Sequence, residues 1–163
     1  MNLFLFPDQI DSGALLSPCR SYRYLLWRRW ADGPYLNFIM LNPSTADESE
    51  DDATIRRCVE RAKRMEFSAL SVTNLFAYRS TDPRMLKTVA DPVGPDNDKA
   101  LVDTATGAGM VICAWGNHGE KRAAAVLKIL SGVRVHCLRK TKIGQPEHPL
   151  YIPYDVVPQL INA

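Results

Sequence analysis

The sequence predicts an α/β fold: a three-layer α/β/α domain with a central, mainly parallel four-stranded sheet and an antiparallel ribbon at the N-terminal side. Three observations predict it. Short apolar runs rich in β-branched and aromatic residues alternate along the chain with stretches of helical periodicity. Such alternation implies right-handed crossovers between parallel strands, and hence helices on both faces of the sheet. Only loops punctuated by Gly and Pro separate these segments, with no repeat or linker, so one domain is expected over residues 1–163.

The elements follow in order. Residues 14–16 and 22–27 flank the turn-forming Ser17-Pro18 and Arg20-Ser21, and read as the ribbon. The four core strands are expected at 35–41, 69–73, 110–115 and 133–138. Helices are expected at 53–65, where Ile55, Cys58, Val59 and Ala62 form one apolar stripe, at 97–106 and at 121–130.

Composition narrows the function classes. At 46% hydrophobic and 23% charged, the chain matches ordinary globular proteins, and its length can bury roughly 70% of the unfolded surface without a metal or disulfide staple. Cys19, Cys58, Cys113 and Cys137 show no C-x-x-C spacing and three sit among apolar residues, so they read as buried free thiols and no cofactor is expected. No run approaches the roughly 20 apolar residues of a membrane span. Residues 1–6 are apolar but lack a basic flank and stop at Pro7 and Asp8, which does not fit a signal peptide; the expectation is a cytoplasmic protein with no membrane partner. A net charge of +2 does not by itself argue for nucleic acid, although residues 107–163 are the basic side, with 7 Lys and Arg against 3 Asp and Glu.

In a parallel sheet, ligands bind where loops leave the carboxyl ends of the strands. The first core strand exits into Leu41-Asn42-Pro43-Ser44-Thr45-Ala46-Asp47, where Pro43 holds Asn42 in extended backbone. The second exits through Thr73-Asn74-Leu75-Phe76, which places another neutral amide beside the first. An amide carries both donor and acceptor, as recognition of a nucleobase edge requires. The third exits through Trp115-Gly116-Asn117-His118, ahead of Lys121 at the start of a helix that could hold an anion. The fourth opens into a basic loop containing Lys140 and Lys142 and ending His148-Pro149, suited to phosphate contacts and one titratable donor. Four successive exits thus carry polar groups, and a single cleft is expected to gather Asn42, Asn74, Gly116 and His148.

From Leu41 to Leu150 these segments, in matching order, resemble the uracil-DNA glycosylase superfamily. Leu41-Asn42-Pro43 is similar to the first motif of its mismatch-specific, thymine-DNA-glycosylase-like branch, and the run from Thr73 to Thr81 to that branch's Thr-Asn segment. Trp115-Gly116-Asn117-His118 and His148-Pro149 resemble segments of the uracil-specific members. The whole pattern, with LNPSTAD, Pro92-Val93-Gly94 and His148-Pro149-Leu150-Tyr151, looks most like a domain-of-unknown-function family of bacteria and phages.

The glycosylase resemblance implies excision of a flipped base. Asn42 would position water and His148 would stabilise the departing base as catalytic groups. Ser44, Asn74, Phe76, Gly116, Asn117 and His118 would bind the base, and Lys121, Lys140 and Lys142 the phosphates. The implied partner is DNA, single-stranded or duplex with one base flipped. Two departures matter. Asn42 stands where the uracil-specific members have an Asp base, and Asp47, Glu48, Glu50, Asp51 and Asp52 crowd the same loop, where they would repel DNA or complement the following helix. Two alternatives therefore stay open: an enzyme or binder for a free nucleoside or nucleotide, with Mg²⁺ on the acidic run, and a catalytically inactive binding module.

Overall fold

A computed structural model describes residues 12–162; the apolar segment 1–6 lies outside them. Among the described residues the chain is mixed α/β, with one seven-stranded sheet and three α-helices. The strands are β1 (Ser12–Leu16), β2 (Arg23–Arg29), β3 (Tyr35–Met40), β4 (Ala69–Asn74), β5 (Met110–Cys113), β6 (Val135–Cys137) and β7 (Gln159–Leu160). The helices are α1 (Ala53–Arg64), α2 (Asn97–Gly107) and α3 (Glu120–Ile129).

The sheet order is β1-β2-β4-β3-β5-β6-β7. The β3–β4, β3–β5 and β5–β6 pairings are parallel, whereas β1–β2, β2–β4 and β6–β7 are antiparallel. The sheet is thus larger than the expected four strands and mixed rather than mainly parallel. One reason is that the N-terminal ribbon is hydrogen-bonded into it, with Leu26 opposite Val72 and Arg28 opposite Leu70. Another is β7, whose two residues are too few to show a period of two in sequence.

Alternation along β3 sends Leu36, Phe38 and Met40 to one face, where they pack with Ile55, Cys58 and Ala62 of α1. Ile39, on the opposite face, packs with Leu101 of α2 and with Ala123 and Val126 of α3. Asp52 caps α1 by accepting from the Ile55 amide at 2.9 Å, which starts the helix one residue after the acidic run. Helix α1 therefore leaves β3 towards one face and α3 leaves β5 towards the other. Neighbouring strands whose connections diverge in this way open a crevice at their carboxyl ends.

Candidate functional site

That crevice holds a cavity of about 290 Å³. The size lies at the lower end of the roughly 300–1,000 Å³ typical of small-molecule sites. Six of the residues singled out in the sequence line it: Asn42, Ser44, Asn74, Gly116, His118 and His148. Met40, Leu41, Ile55, Val72 and Trp115 supply an apolar lining, and Arg23, Asp52, Thr54, Ser80 and Thr81 further polar groups.

Asn74 ends β4 opposite Met40 of β3. Its backbone is held firmly: Leu75 N–H donates to Met40 O at 2.8 Å, Asn97 Nδ2 to Asn74 O at 2.9 Å, and Arg122 Nε to Leu75 O at 2.9 Å. Its side chain is the opposite case. Asn74 is 1% exposed, and neither Nδ2 nor Oδ1 has a hydrogen-bond partner. An orphaned buried amide costs about 1–3 kcal/mol, a cost that a group pairing with this donor and acceptor would relieve.

Asn42 is constrained differently. Nδ2 donates to Ser80 O at 2.8 Å and to Pro43 O at 3.1 Å, which fixes the amide orientation and leaves Oδ1 as the atom free to accept from a ligand or water. Asp52 uses Oδ1 on the Ile55 amide, and its second oxygen makes no hydrogen bond among the described residues. A carboxylate thus shares the cavity with Asn42.

His148 comes from the far end of the chain, and two anchors bring it in. On one side, Gly116 N–H donates to Pro146 O at 2.8 Å, Trp115 Nε1 to Gln145 Oε1 at 2.9 Å, and Thr141 Oγ1 to Asn117 Oδ1 at 2.6 Å. Gly116 sits at φ +70 with open space where a Cβ would stand, so backbone conformation rather than crowding calls for glycine there. On the other side, Arg57 and Arg61 of α1 both donate to Ile152 O at 2.7 Å, and the Tyr154 ring lies beneath their guanidinium groups. The Leu150 amide donates to His148 Nδ1 at 3.3 Å, which puts the proton of the neutral imidazole on Nε2. Desolvation lowers the His148 pKa, opposed by the negative charge of Asp52.

Phe76, Asn117, Lys121, Lys140 and Lys142 do not line this cavity. Phe76 faces a smaller one of about 110 Å³ beside His118, and the aromatic wall of the main cavity is Trp115. Asn117 latches the His148 loop through Thr141. The three lysines are exposed.

The acidic run is largely engaged inside its own neighbourhood. Arg28 of β2 pairs with Asp51 at 2.8 Å and Arg20 with Glu48 at 3.2 Å, while Asp47 accepts from the Ser49 and Glu50 amides. Among the described residues no three His, Cys, Asp or Glu side chains cluster as a metal site. Arg23 also holds this loop, donating from Nη1 to Ala46 O at 2.8 Å. Sequence reasoning misses Arg23 as a site residue because an Arg inside a strand pattern reads as a solvent-facing position. It names Asp52 only as one of the acidic run, read against DNA, with the following helix or with Mg²⁺, and not as a residue of the cleft.

The sequence profile of a family described as a protein of unknown function (DUF1643) matches residues 23–150. The chain belongs to this family. No curated protein and no solved structure matches it. The DUF1643 span begins at Arg23 and closes two residues after His148, so it contains every residue that lines the cavity.

Proposed function

We propose that this DUF1643 protein binds a nucleobase in the cavity, edge-on to Asn74, and acts as a uracil-DNA-glycosylase-like hydrolase on a flipped nucleotide. The observation that carries the reading is the Asn74 side chain, buried and unpartnered, on a residue that lines the cavity. A planar heterocycle with adjacent donor and acceptor satisfies both of its atoms, while Trp115, Leu41 and Val72 offer an apolar lining for the ring.

Excision follows from the remaining groups. Asn42 Oδ1 accepts a hydrogen from a water, and Asp52 takes a proton from it as the water oxygen bonds to the sugar carbon. The carbon–nitrogen bond breaks with its electron pair passing to the base, whose developing charge is met by His148 Nε2–H. The carboxylate absent at Asn42 is thereby supplied from the helix cap.

The test incubates the protein with oligonucleotides bearing uracil, thymine opposite guanine, or 5-substituted pyrimidines, then cleaves abasic sites with alkali. Cleavage that disappears in Asn74→Ala and His148→Ala supports the reading. A second reading, a free nucleoside or nucleotide as ligand, is favoured by the exposed Glu48 and Glu50 on the Asn42 loop, which repel a DNA backbone. No cleavage of any oligonucleotide, with binding of a free nucleoside or nucleotide that a single strand does not match, would establish that reading instead.

A further inference from the structure

A second, shallower cavity adjoins the first and shares Ser44, Ser80 and Thr81 with it. Arg20 and Arg79 complete its charged side. Arg23 stands in the wall of the first cavity, 3% exposed, and its buried Nε has no hydrogen-bond partner. Neither Arg23 nor Arg79 pairs with a carboxylate among the described residues, whereas Arg20 is occupied by Glu48.

A buried guanidinium that lacks a counter-ion is costly. Its pKa is brought down to about 10, first by desolvation; the negative charge of Asp52 is the largest charge acting on it and opposes this, while the positive charges of Arg79 and then Arg28 add to the lowering. Two cations that repel one another across a wall of hydroxyls make a place where an anion removes the strain of both. Planar, forked guanidinium groups suit the oxygens of a phosphate.

We propose that the junction of the two cavities is a phosphate subsite, in which Arg23 and Arg79, with the hydroxyls of Ser44 and Thr81, hold the phosphate of the nucleotide whose base lies against Asn74. The assignment of ligand rests on the base-binding reading; the anion site itself does not. It moves the phosphate contacts from Lys121, Lys140 and Lys142 to the β2 side of the crevice. The ligand phosphate is a monoester if the substrate is a free nucleotide and a diester if it is DNA.

The experiment measures affinities by calorimetry for inorganic phosphate, the common deoxynucleosides with deoxyuridine, their 5′-monophosphates, and a five-nucleotide single strand. The expected result is that a monophosphate or the strand binds roughly tenfold or more tightly than its nucleoside, as charge-assisted hydrogen bonds allow. That ratio collapses in Arg79→Gln and falls in Arg23→Lys, which keeps the charge and loses the fork. Lys140→Gln keeps it. Phosphate protection of the wild-type protein against thermal unfolding supplies a measurement independent of any variant. Nucleosides that bind with no gain from phosphate overturn the subsite and leave the base reading standing. Phosphate binding that depends on Arg79, without binding of any nucleoside, sustains the subsite and overturns the base reading. Binding of none of these ligands overturns both. A preference for the strand over monophosphates identifies a diester, and the reverse a monoester.

Discussion

Trp115 donates its indole N–H to Oε1 of Gln145 at 2.9 Å, and this bond ties the β5 exit to the loop that carries His148. It lies at the meeting of two segments 30 residues apart in sequence. Gln145→Ala leaves the indole N–H without its partner, at a cost of about 1 kcal/mol in stability to denaturant. The larger effect falls on the site, because His148 then depends on the Gly116–Pro146 and Thr141–Asn117 bonds and on α1. Denaturant unfolding together with ligand affinity checks this; an affinity unchanged by Gln145→Ala would mean that the remaining anchors suffice to place His148.

Asn74→Leu separates stability from function. The replacement is close in size and removes two buried polar atoms that have no partner in the unliganded protein. Stability is expected to hold or rise by up to about 1–3 kcal/mol, which for a chain of this size is roughly 2–4 °C in Tm per kcal/mol. Binding of any base is expected to vanish. A Tm that drops on Asn74→Leu would instead show that the amide is satisfied in solution without a ligand.

Asn74 and its neighbours also show how far the site is legible in sequence. Asn42, Asn74, Gly116 and His148 can be gathered into one cleft because strand exits are marked by abrupt changes from apolar runs to polar turns. The parallel neighbours β3, β4 and β5 announce themselves through short runs rich in apolar and β-branched residues, and all three are buried along nearly their whole length. Arg23 and Arg61 are not legible. Arg61 lies on the buried stripe of α1, where periodicity predicts an apolar residue, and its partners are the Ile152 and Pro153 carbonyls about 90 residues away. No local pattern carries information about such a partner. Phe76 misleads for a related reason, since two residues past the end of β4 the chain has already turned away from the cavity.

The pH dependence of stability carries a signature of His148. Its pKa in the folded chain is lowered by desolvation, with Asp52 opposing. On acidification the unfolded chain takes up this proton before the folded one does. The associated stability is fully present above the unfolded value of about 6.5 and is lost as pH falls through the lower folded value. Wild-type protein is therefore expected to lose stability between about pH 7 and pH 5 more steeply than His148→Gln. Parallel slopes would mean that the imidazole titrates as it does in water.

The four thiols should divide by reactivity. Cys58, Cys113 and Cys137 are buried, and burial raises their pKa values. Cys19 is exposed, and hydrogen bonds from Ser17 and then Ser21 lower it to about 7. At about pH 7.5 an alkylating reagent is expected to modify one thiol in the native protein and four after denaturation, as thiolate fraction and access dictate. Mass spectrometry after digestion identifies the site; rapid native labelling of Cys113 would show that the sheet core opens.

On the proposed base-binding reading, the size of the accepted base depends on Ser44. It lines both the main cavity and the adjoining basic one, with no helix or strand of its own to resist a larger side chain. The uracil-specific members of the glycosylase superfamily place a Tyr after the first-motif Pro, where it crowds the 5-position of the pyrimidine. With Ser44 instead, the cavity should admit 5-substituted pyrimidines. Ser44→Tyr adds a phenol to a space of about 290 Å³ and should exclude such bases first and plain uracil last. The expected loss is roughly 10- to 200-fold for a 5-substituted base relative to uracil, the range a small steric difference in an apolar pocket produces. Because the same ring also approaches the basic cavity, affinity for inorganic phosphate should be measured alongside. An equal loss for all bases, with phosphate binding lost too, would place the ring across the phosphate side and refute selection of base size at Ser44.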